Sequence, residues 1–213
     1  MVYTRKTNEN GTARLNINLN AGEYVIAATN PSTGEIHTNK ITVMPVKTET
    51  KLSGVKNITV GDLLTVTANV NSSVGSVVFN IHSTNKTVEV INNRASYTVD
   101  NLYAGSYVIK AIYVDSEGNY LSSSDSKSFT VSKRSPDISV VADDIGAGQN
   151  AIFEIALASN ATGQVSVKIN NKVYINQLYN GKIIFSVPDL VVGNYSYDID
   201  YTGDNVYHSK KIS

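Results

Sequence analysis

The stretch that decides the fold is Asn101–Tyr113, NLYAGSYVIKAIY, because nearly the same pattern occurs twice more. Asn18–Thr29 reads NLNAGEYVIAAT, and Asp189–Tyr201 reads DLVVGNYSYDIDY. In all three stretches a Leu is followed three residues later by Gly and two residues after that by Tyr. The glycines of the pattern are 83 and 88 residues apart. Self-similarity at such an interval predicts a tandem array of one structural unit.

Alternating polar and apolar residues flank each copy of this pattern and predict β-strands. In the last copy Tyr195, Tyr197, Ile199 and Tyr201 alternate with polar residues, which is the period of a half-buried strand. A turn and another alternating stretch precede the Gly of every copy, and these stretches are 13–19, 95–99 and 183–187. We therefore expect one strand before each corner and a second strand that opens at its Tyr.

Only the last two copies are preceded by further alternating stretches. These begin after Gly61 and Gly75 in one case and after Gly148 and Gly163 in the other. The sequence thus predicts three parts: the C-terminal half of a repeat at 1–46, a complete repeat at 47–133, and a repeat with a truncated last strand at 134–213. Prolines at 45 and 136 predict short, fairly stiff linkers between these parts.

About seven short strands in roughly 85 residues, separated by turns, are typical of an immunoglobulin-like β-sandwich. The predicted fold is therefore all-β, with tandem immunoglobulin-like β-sandwiches: two near-complete domains and an N-terminal half-domain. In such sandwiches a Tyr at the start of the penultimate strand bonds through its hydroxyl to the backbone of the preceding corner. The Gly would permit the tight turn, and the Leu would close the end of the core. The predicted tyrosine-corner residues are Leu19, Gly22, Tyr24, Leu102, Gly105, Tyr107, Leu190, Gly193 and Tyr195.

Composition excludes several classes of protein. The chain of 213 residues has no Cys, which excludes disulfides, Cys-ligated zinc and thiol catalysis. Its formal net charge is zero, so the basic surface of a nucleic-acid-binding protein is missing. No stretch approaches the roughly 20 apolar residues of a membrane span. The first residues, MVYTRKTNEN, lack the apolar core of a signal peptide, so the chain is either intracellular or part of something longer.

Residues that could support chemistry are few. No nucleophile elbow, P-loop or His-Glu-x-x-His motif occurs, and a sandwich with short loops offers no obvious cleft for paired carboxylates. Asp198, Asp200 and Asp204 could supply oxygen ligands, but their spacing matches no calcium-binding loop. The histidines are single and far apart, at His37, His82 and His208. We expect no enzyme activity and no catalytic, cofactor-binding or metal-binding residue.

An intramolecular Lys–Asn isopeptide bond between first and last strands is a further possibility. The complete repeat has Lys51 and Lys56 in its first strand, but its closing strand at 127–131 contains no Asn. No such bond is therefore expected.

Four tyrosines are left over, in or near loops, after the strands have been assigned. They are Tyr103, Tyr120, Tyr179 and Tyr207. Modules that bind carbohydrates stack sugars on exposed aromatic rings, and this chain has no Trp, so these tyrosines are the candidate ligand contacts. The alternative is that each ring covers the end of its own sandwich.

The run Val2–Tyr24 resembles the back half of repeats in the large adhesin-like surface proteins of methanogenic archaea. Asn30–Glu35 and Ile41–Pro45 fit the same resemblance. The later repeats, with Gly61-Asp62, Leu-x-x-Gly-x-Tyr and Tyr201–Tyr207, are similar to bacterial Ig-like domains of the third group. The complete repeat departs from this pattern, because Tyr113–Tyr120 replaces the Tyr-x-Gly-Asp-x-x-Tyr turn. That turn is therefore expected to close a loop rather than to form a shared binding site.

The resemblance implies an extracellular, cell-surface location, with signal and anchor outside this segment. It implies a non-catalytic stalk, with adhesion of the cell to other cells or surfaces as a further role. The expected partners are neighbouring repeats of the same chain, and surface polysaccharides or proteins of other cells are candidates; no nucleic acid and no membrane insertion are expected. Two alternatives stay open: a carbohydrate-binding module, and accessory domains of a surface enzyme.

Overall fold

The computed structural model describes residues 1–213 and contains β-strands but no helix. No helix is therefore long and apolar enough to span a membrane. The strands are β1 (Gly22–Thr29), β2 (Ile36–Val43), β3 (Thr50–Ser53), β4 (Ile58–Thr59), β5 (Leu64–Val70), β6 (Ser76–Ile81), β7 (Thr84–Glu89), β8 (Arg94–Val99), β9 (Gly105–Val114), β10 (Ser123–Ser132), β11 (Ser139–Val141), β12 (Ala151–Ala156), β13 (Gln164–Ile169), β14 (Lys172–Gln177), β15 (Lys182–Val187), β16 (Tyr197–Tyr201) and β17 (Lys210–Ile212).

The strands form five sheets. A hairpin of β1 and β2 stands alone, and two pairs of sheets follow along the chain. The first pair has the strand orders β3-β5-β8 and β4-β10-β9-β6-β7, and the second pair has the orders β11-β12-β15 and β14-β13-β16-β17. Two sheets for each complete repeat is the arrangement of a β-sandwich, so the fold is all-β with immunoglobulin-like sandwiches in tandem.

The chain forms two compact units. The first contains Met1–Ser53, Thr67–Tyr97 and Lys110–Ser126, and the second contains Gly54–Val66, Thr98–Ile109 and Lys127–Ser213. Strands β5, β8, β9 and β10 each have residues in both units. The units therefore do not coincide with the predicted repeats, and the repeat boundaries at residues 46 and 133 stay a prediction.

The sandwich core is continuous within the second unit. Phe153 and Ile155 of β12 and Val165, Val167 and Ile199 of the facing sheet belong to one buried cluster. Their neighbours along each strand point to solvent, as the period of a strand requires. Burial of each such side chain contributes about 1.5–3 kcal/mol to folding, so the two inner faces hold the sandwich together.

The first strand of the complete repeat is divided between its two sheets. Residues of β3 pair antiparallel with β5, whereas β4 pairs parallel with β10 through Ile58 opposite Val131. Gly54 lies where the chain changes sheets, with a φ of 79°. A Cβ at this position would lie 2.7 Å from the carbonyl oxygen of Thr65. The crossing therefore requires glycine, both for its backbone conformation and for the close approach.

Two of the predicted strands differ in the structure. The prediction of a strand over 13–19 is wrong, because residues 12–20 form no strand and Leu15 is exposed. A strand needs a neighbour for its backbone N–H and C=O groups, and β8 and β15 have β5 and β12 beside them. Residues 1–46 contain only the β1-β2 hairpin, so alternation alone does not produce a strand there. The strand predicted to open at Tyr195 begins at Tyr197 instead.

Candidate functional site

The hydroxyl groups of the three repeated tyrosines make the same hydrogen bond. Each donates to the backbone carbonyl four residues upstream: Tyr24 to Asn20 at 2.8 Å, Tyr107 to Tyr103 at 3.0 Å and Tyr195 to Val191 at 2.9 Å. The bond closes the corner that precedes the penultimate strand. The ring of Tyr107 also stacks on Phe129, with centroids 5.6 Å apart. The stabilising role of these corners stays a prediction.

The glycines of the pattern are not equivalent. Gly22 and Gly105 have φ angles of 154° and 159°. A Cβ on either would lie 3.6–3.7 Å from the ring of the Tyr two residues later, which is ordinary van der Waals contact. Gly193 has no positive φ, and a Cβ there would meet no atom within 4 Å beyond its chain neighbours. The three leucines of the pattern are partly buried, and Leu190 packs against the core cluster.

The four loop tyrosines lie in four different loops. Tyr103 and Tyr179 are 71% and 80% exposed. Tyr120 and Tyr207 are partly buried, and the Tyr207 hydroxyl donates to the Asn160 side chain at 3.0 Å. Tyr103 and Tyr179 are thus the two of the four with rings available to a flat ligand.

Tyr120 and Tyr207 take part in the same type of junction, which sequence reasoning missed. Val46 forms a parallel bridge with Tyr120, and Arg134 forms one with Tyr207. The Val46 N–H donates to the Asn119 carbonyl at 2.8 Å, and the Val46 carbonyl accepts from the Leu121 N–H at 2.8 Å. In the same way the Arg134 N–H donates to the Val206 carbonyl at 2.7 Å, and the Arg134 carbonyl accepts from the His208 N–H at 2.9 Å. Val46 and Arg134 are 88 residues apart, which is the only signal in the sequence for this equivalence.

An aspartate holds each of these loops. The Asp115 carboxylate accepts from the N–H groups of Glu117 at 3.2 Å and Tyr120 at 3.0 Å. The Asp204 carboxylate accepts from the N–H groups of Val206 and Tyr207, both at 2.7 Å. In both loops the side chain replaces a backbone acceptor, as in an Asx turn.

Asp204 has a second set of bonds to a neighbouring loop. Its other carboxylate oxygen accepts from the Thr162 N–H at 2.8 Å and from the Thr162 hydroxyl at 3.1 Å. Partial burial on its own raises the pKa of Asp204, but the hydrogen bonds from Thr162, Tyr207 and Val206 outweigh it and hold that pKa below its ordinary value. The carboxylate is therefore ionised at neutral pH and fixes two loops at the end of the sandwich.

The buried tyrosines beneath these two loops differ. The Tyr113 hydroxyl donates to the Val74 carbonyl at 3.0 Å and contacts the Ser72 hydroxyl at 3.1 Å. The Tyr201 side chain is fully buried, and its hydroxyl has no hydrogen-bond partner in the chain. Burial, then the charge of the Asp204 carboxylate and a weak interaction of the hydroxyl with it, raise the pKa of Tyr201 far above its ordinary value. The hydroxyl therefore stays protonated, without a hydrogen bond of normal geometry.

Two consecutive cationic side chains tie the segment between β10 and β11 to loops on either side of it. The Arg134 Nε donates to the Val60 carbonyl at 2.7 Å, and its guanidinium lies 3.4 Å from the Asp62 carboxylate. The Lys133 ammonium donates to the Asp204 carbonyl. We call this set of contacts the Lys133–Arg134 clamp. Val46 occupies the position corresponding to Arg134 at the earlier junction, and its apolar side chain cannot make these contacts.

A different contact is found at that earlier junction. The Ala21 N–H, shortly before the first corner Tyr, donates to the Asn119 side chain at 2.8 Å. Thr48 adds a bond from its hydroxyl to the Leu121 carbonyl at 2.6 Å. The loop that contains Tyr120 therefore contacts the chain on both sides of Pro45.

The structure groups no three His, Cys, Asp or Glu side chains in a way that could hold a metal ion. The three histidines are exposed and lie in separate parts of the chain. A cavity of about 300 Å³ is lined by Val141, Asp143, Ile145, Ile152 and Glu154, all of them exposed. Its two carboxylates, Asp143 and Glu154, are in contact with solvent.

No protein-family model matches the chain, and no curated protein matches it. The chain is similar to the solved structure of a tetra-tandem repeat from the extending region of a large adhesion protein. The two sequences are 17% identical, and the TM-score is 0.45. The match covers 91% of this chain and 56% of the other chain. The chain thus spans little more than half the length of that structure. The chain is also similar to a protein of Corynebacterium diphtheriae described as membrane anchored, with 12% sequence identity and a TM-score of 0.32. That match covers 92% of this chain and 69% of the other chain.

A β-glycosidase from Bacteroides vulgatus is also similar, with 13% identity, coverage of 78% of this chain and 24% of that chain, and a TM-score of 0.28. Identities and TM-scores this low do not identify a function.

Proposed function

We propose that this chain is a non-catalytic segment of immunoglobulin-like repeats that serves as a stalk in a large, adhesin-like cell-surface protein. The observation that carries the proposal is the Lys133–Arg134 clamp, since it fixes the passage from one predicted repeat to the next. The resemblance of Val2–Tyr24 to repeats of methanogen adhesin-like proteins, and of the later repeats to the third group of bacterial Ig-like domains, supports an extracellular location.

The clamp limits bending because its contacts lie on both sides of the junction. Arg134 binds the loop after β4, whereas Lys133 binds the loop after β16. Between them and β11, Pro136 is buried and its carbonyl accepts from the Lys210 ammonium at 2.9 Å. Proline also removes one backbone torsion from the linker. A stalk of such repeats holds a distal site at a distance from the cell envelope.

The stiffness of this junction can be measured by double electron–electron resonance. The chain has no Cys, so Lys56→Cys and Lys172→Cys place spin labels on exposed positions before and after the clamp. We expect a narrow distance distribution that broadens when Lys133→Ala and Arg134→Ala are introduced together. Lys211→Ala is the matched control, because it removes a surface ion pair with Asp200 away from the junction. Equally broad distributions with and without the clamp would refute the stalk proposal.

A carbohydrate-binding role is the second candidate, and the exposed rings of Tyr103 and Tyr179 favour it. The labelled chain would be tested for binding to intact microbial cells and to a panel of surface polysaccharides. A spacer shows no saturable binding. Saturable binding that is lost with Tyr103→Ala or Tyr179→Ala, but kept with the half-exposed control Tyr3→Ala, would instead make these loops the adhesive surface.

A further inference from the structure

The outward face of the sheet β11-β12-β15 carries three exposed apolar side chains. Val141, Ile152 and Ile184 are 53%, 42% and 63% exposed. In the register of the sheet, Val141 and Ile184 lie on either side of Glu154, and Ile152 precedes Glu154 by two residues on β12. Side chains at such positions point to the same side of a sheet. The three apolar residues therefore form one patch, which we call the outer-face patch.

The same three positions are polar in the complete repeat. They are Ser53, Thr65 and Ser96, of which the first is matched by its strand pairing and the other two by their distance from the repeated glycines. The Thr65 hydroxyl is hydrogen-bonded to the Thr98 hydroxyl, and the Ser96 hydroxyl to the Thr67 hydroxyl, both at 2.9 Å. All three positions are exposed there too, so their exposure is a property of this face, and only the last repeat fills them with apolar side chains.

Two opposite charges lie beside the outer-face patch. Glu154 is opposite Ile184, and Lys182 precedes Ile184 by two residues on β15. Glu154 and Lys182 are therefore diagonal neighbours on adjacent strands. Both are exposed, and the ion pairs within the chain are made by other residues. Each of these charges is thus available to a group of opposite charge on another molecule.

An apolar patch with one positive and one negative charge beside it is complementary to a second copy of itself. A two-fold axis close to Ile184 brings the Ile184 side chains of two copies together. The same axis places Glu154 of each copy opposite Lys182 of the other copy. Such self-complementary, two-fold contacts are the commonest way in which soluble proteins form homodimers. Three strands present a small area compared with the about 800 Å² per partner of a standard stable interface, so the contact is weak.

We propose that two copies of this chain pair face to face through the outer-face patch of the sheet β11-β12-β15. The apolar side chains provide the buried area, and the two Glu154–Lys182 pairs fix the orientation of the copies. The polar face of the complete repeat does not take part. This pairing between chains goes beyond the stalk proposal and does not depend on the Lys133–Arg134 clamp.

Sedimentation equilibrium of the full chain between about 10 µM and about 1 mM measures the pairing, and we expect a reversible monomer–dimer equilibrium with a Kd on the order of 0.1–1 mM. Ile152→Thr and Ile184→Ser together introduce the residues that the complete repeat has at these positions, and should weaken pairing about tenfold or more. Val173→Ser is the matched control, because Val173 is 55% exposed on β14 of the other sheet. This control should change the Kd by less than about threefold.

A charge exchange tests the orientation of the two copies. Glu154→Lys or Lys182→Glu alone brings like charges together across the two-fold axis, and each should weaken self-association about tenfold. An equal mixture of the two variants should restore association, because each chain then presents the charge that the other lacks. Circular dichroism melting curves show that every variant is folded.

Three results would overturn the proposal. The first is a weight-average mass that stays at the monomer value up to about 1 mM. The second is unchanged association of the chain that carries both Ile152→Thr and Ile184→Ser. The third is a mixture of the two charge variants that associates no better than either variant alone.

Discussion

Replacing Tyr113 and Tyr201 separately by Phe tests the difference in hydrogen bonding between these two buried hydroxyls. The positions are 88 residues apart, and both side chains are fully buried. Each substitution removes one hydroxyl and leaves the ring in place. The Tyr113 hydroxyl has two partners, Ser72 and the Val74 carbonyl, whereas the Tyr201 hydroxyl has none.

The expected changes in stability therefore differ in sign or size. A hydrogen bond contributes about 1 kcal/mol net, and an acceptor left unsatisfied costs about 1–3 kcal/mol, so Tyr113→Phe should destabilise the protein by about 1–2 kcal/mol. Tyr201→Phe loses at most a weak interaction with the Asp204 carboxylate and removes a buried hydroxyl that lacks a hydrogen bond of normal geometry. It should be neutral or stabilising by up to about 1 kcal/mol.

Urea unfolding followed by far-ultraviolet circular dichroism gives the two free energies. Hydrogen exchange read by mass spectrometry over 105–114 and 197–201 assigns each change to its own sandwich, since tandem domains need not unfold together. Equal destabilisation by both substitutions would contradict the absence of a partner for the Tyr201 hydroxyl.

Three further substitutions test single features. Tyr107→Phe keeps the ring but loses the corner bond, so the free energy of unfolding should fall by about 1–2 kcal/mol in urea titrations, and an unchanged value would exclude a stabilising corner. The pKa of Asp204 is lower in the folded state than in the unfolded state. Its ionised carboxylate therefore stabilises the protein above the unfolded pKa of about 3.9, and this stabilisation is lost as pH falls toward the folded pKa. Asp204→Asn should accordingly flatten the decline of the urea midpoint between neutral pH and about pH 3. Gly54→Ala should destabilise the protein by about 1–3 kcal/mol and lower the melting temperature by several degrees, because the new Cβ would meet the Thr65 carbonyl oxygen. Gly118 has a similar φ with open space around it, so Gly118→Ala should lower the stability by less.

The repeated pattern predicts the fold well because its physical cause is local. The corner Tyr binds a carbonyl four residues upstream, so its hydrogen bond depends only on residues of the corner itself. The alternation over 151–156 and 164–169 reflects one buried and one exposed face of each strand. The stretch 13–19 has the same alternation but no neighbouring strand, and it stays irregular. Strand formation thus depends on distant partners that a local pattern does not contain.

The junction contacts could not be predicted, because they depend on how side chains reach across loops. Val46 and Arg134 occupy equivalent backbone bridges, yet only Arg134 can reach the Val60 carbonyl. In the same way Ser72 supplies a partner for Tyr113, whereas Asn160, 88 residues later, accepts from Tyr207 instead. Repeats with the same fold therefore differ in the side chains that fix their ends.

The parallel pairing of β4 with β10 determines how the complete repeat responds to mechanical load. Pulling the two ends of this repeat apart draws β4 and β10 in opposite directions along their common axis. The backbone bonds between them, among them the 2.9 Å bond from the Val60 N–H to the Ser132 carbonyl, lie across that axis. Under such a load these bonds would be sheared together rather than opened one after another.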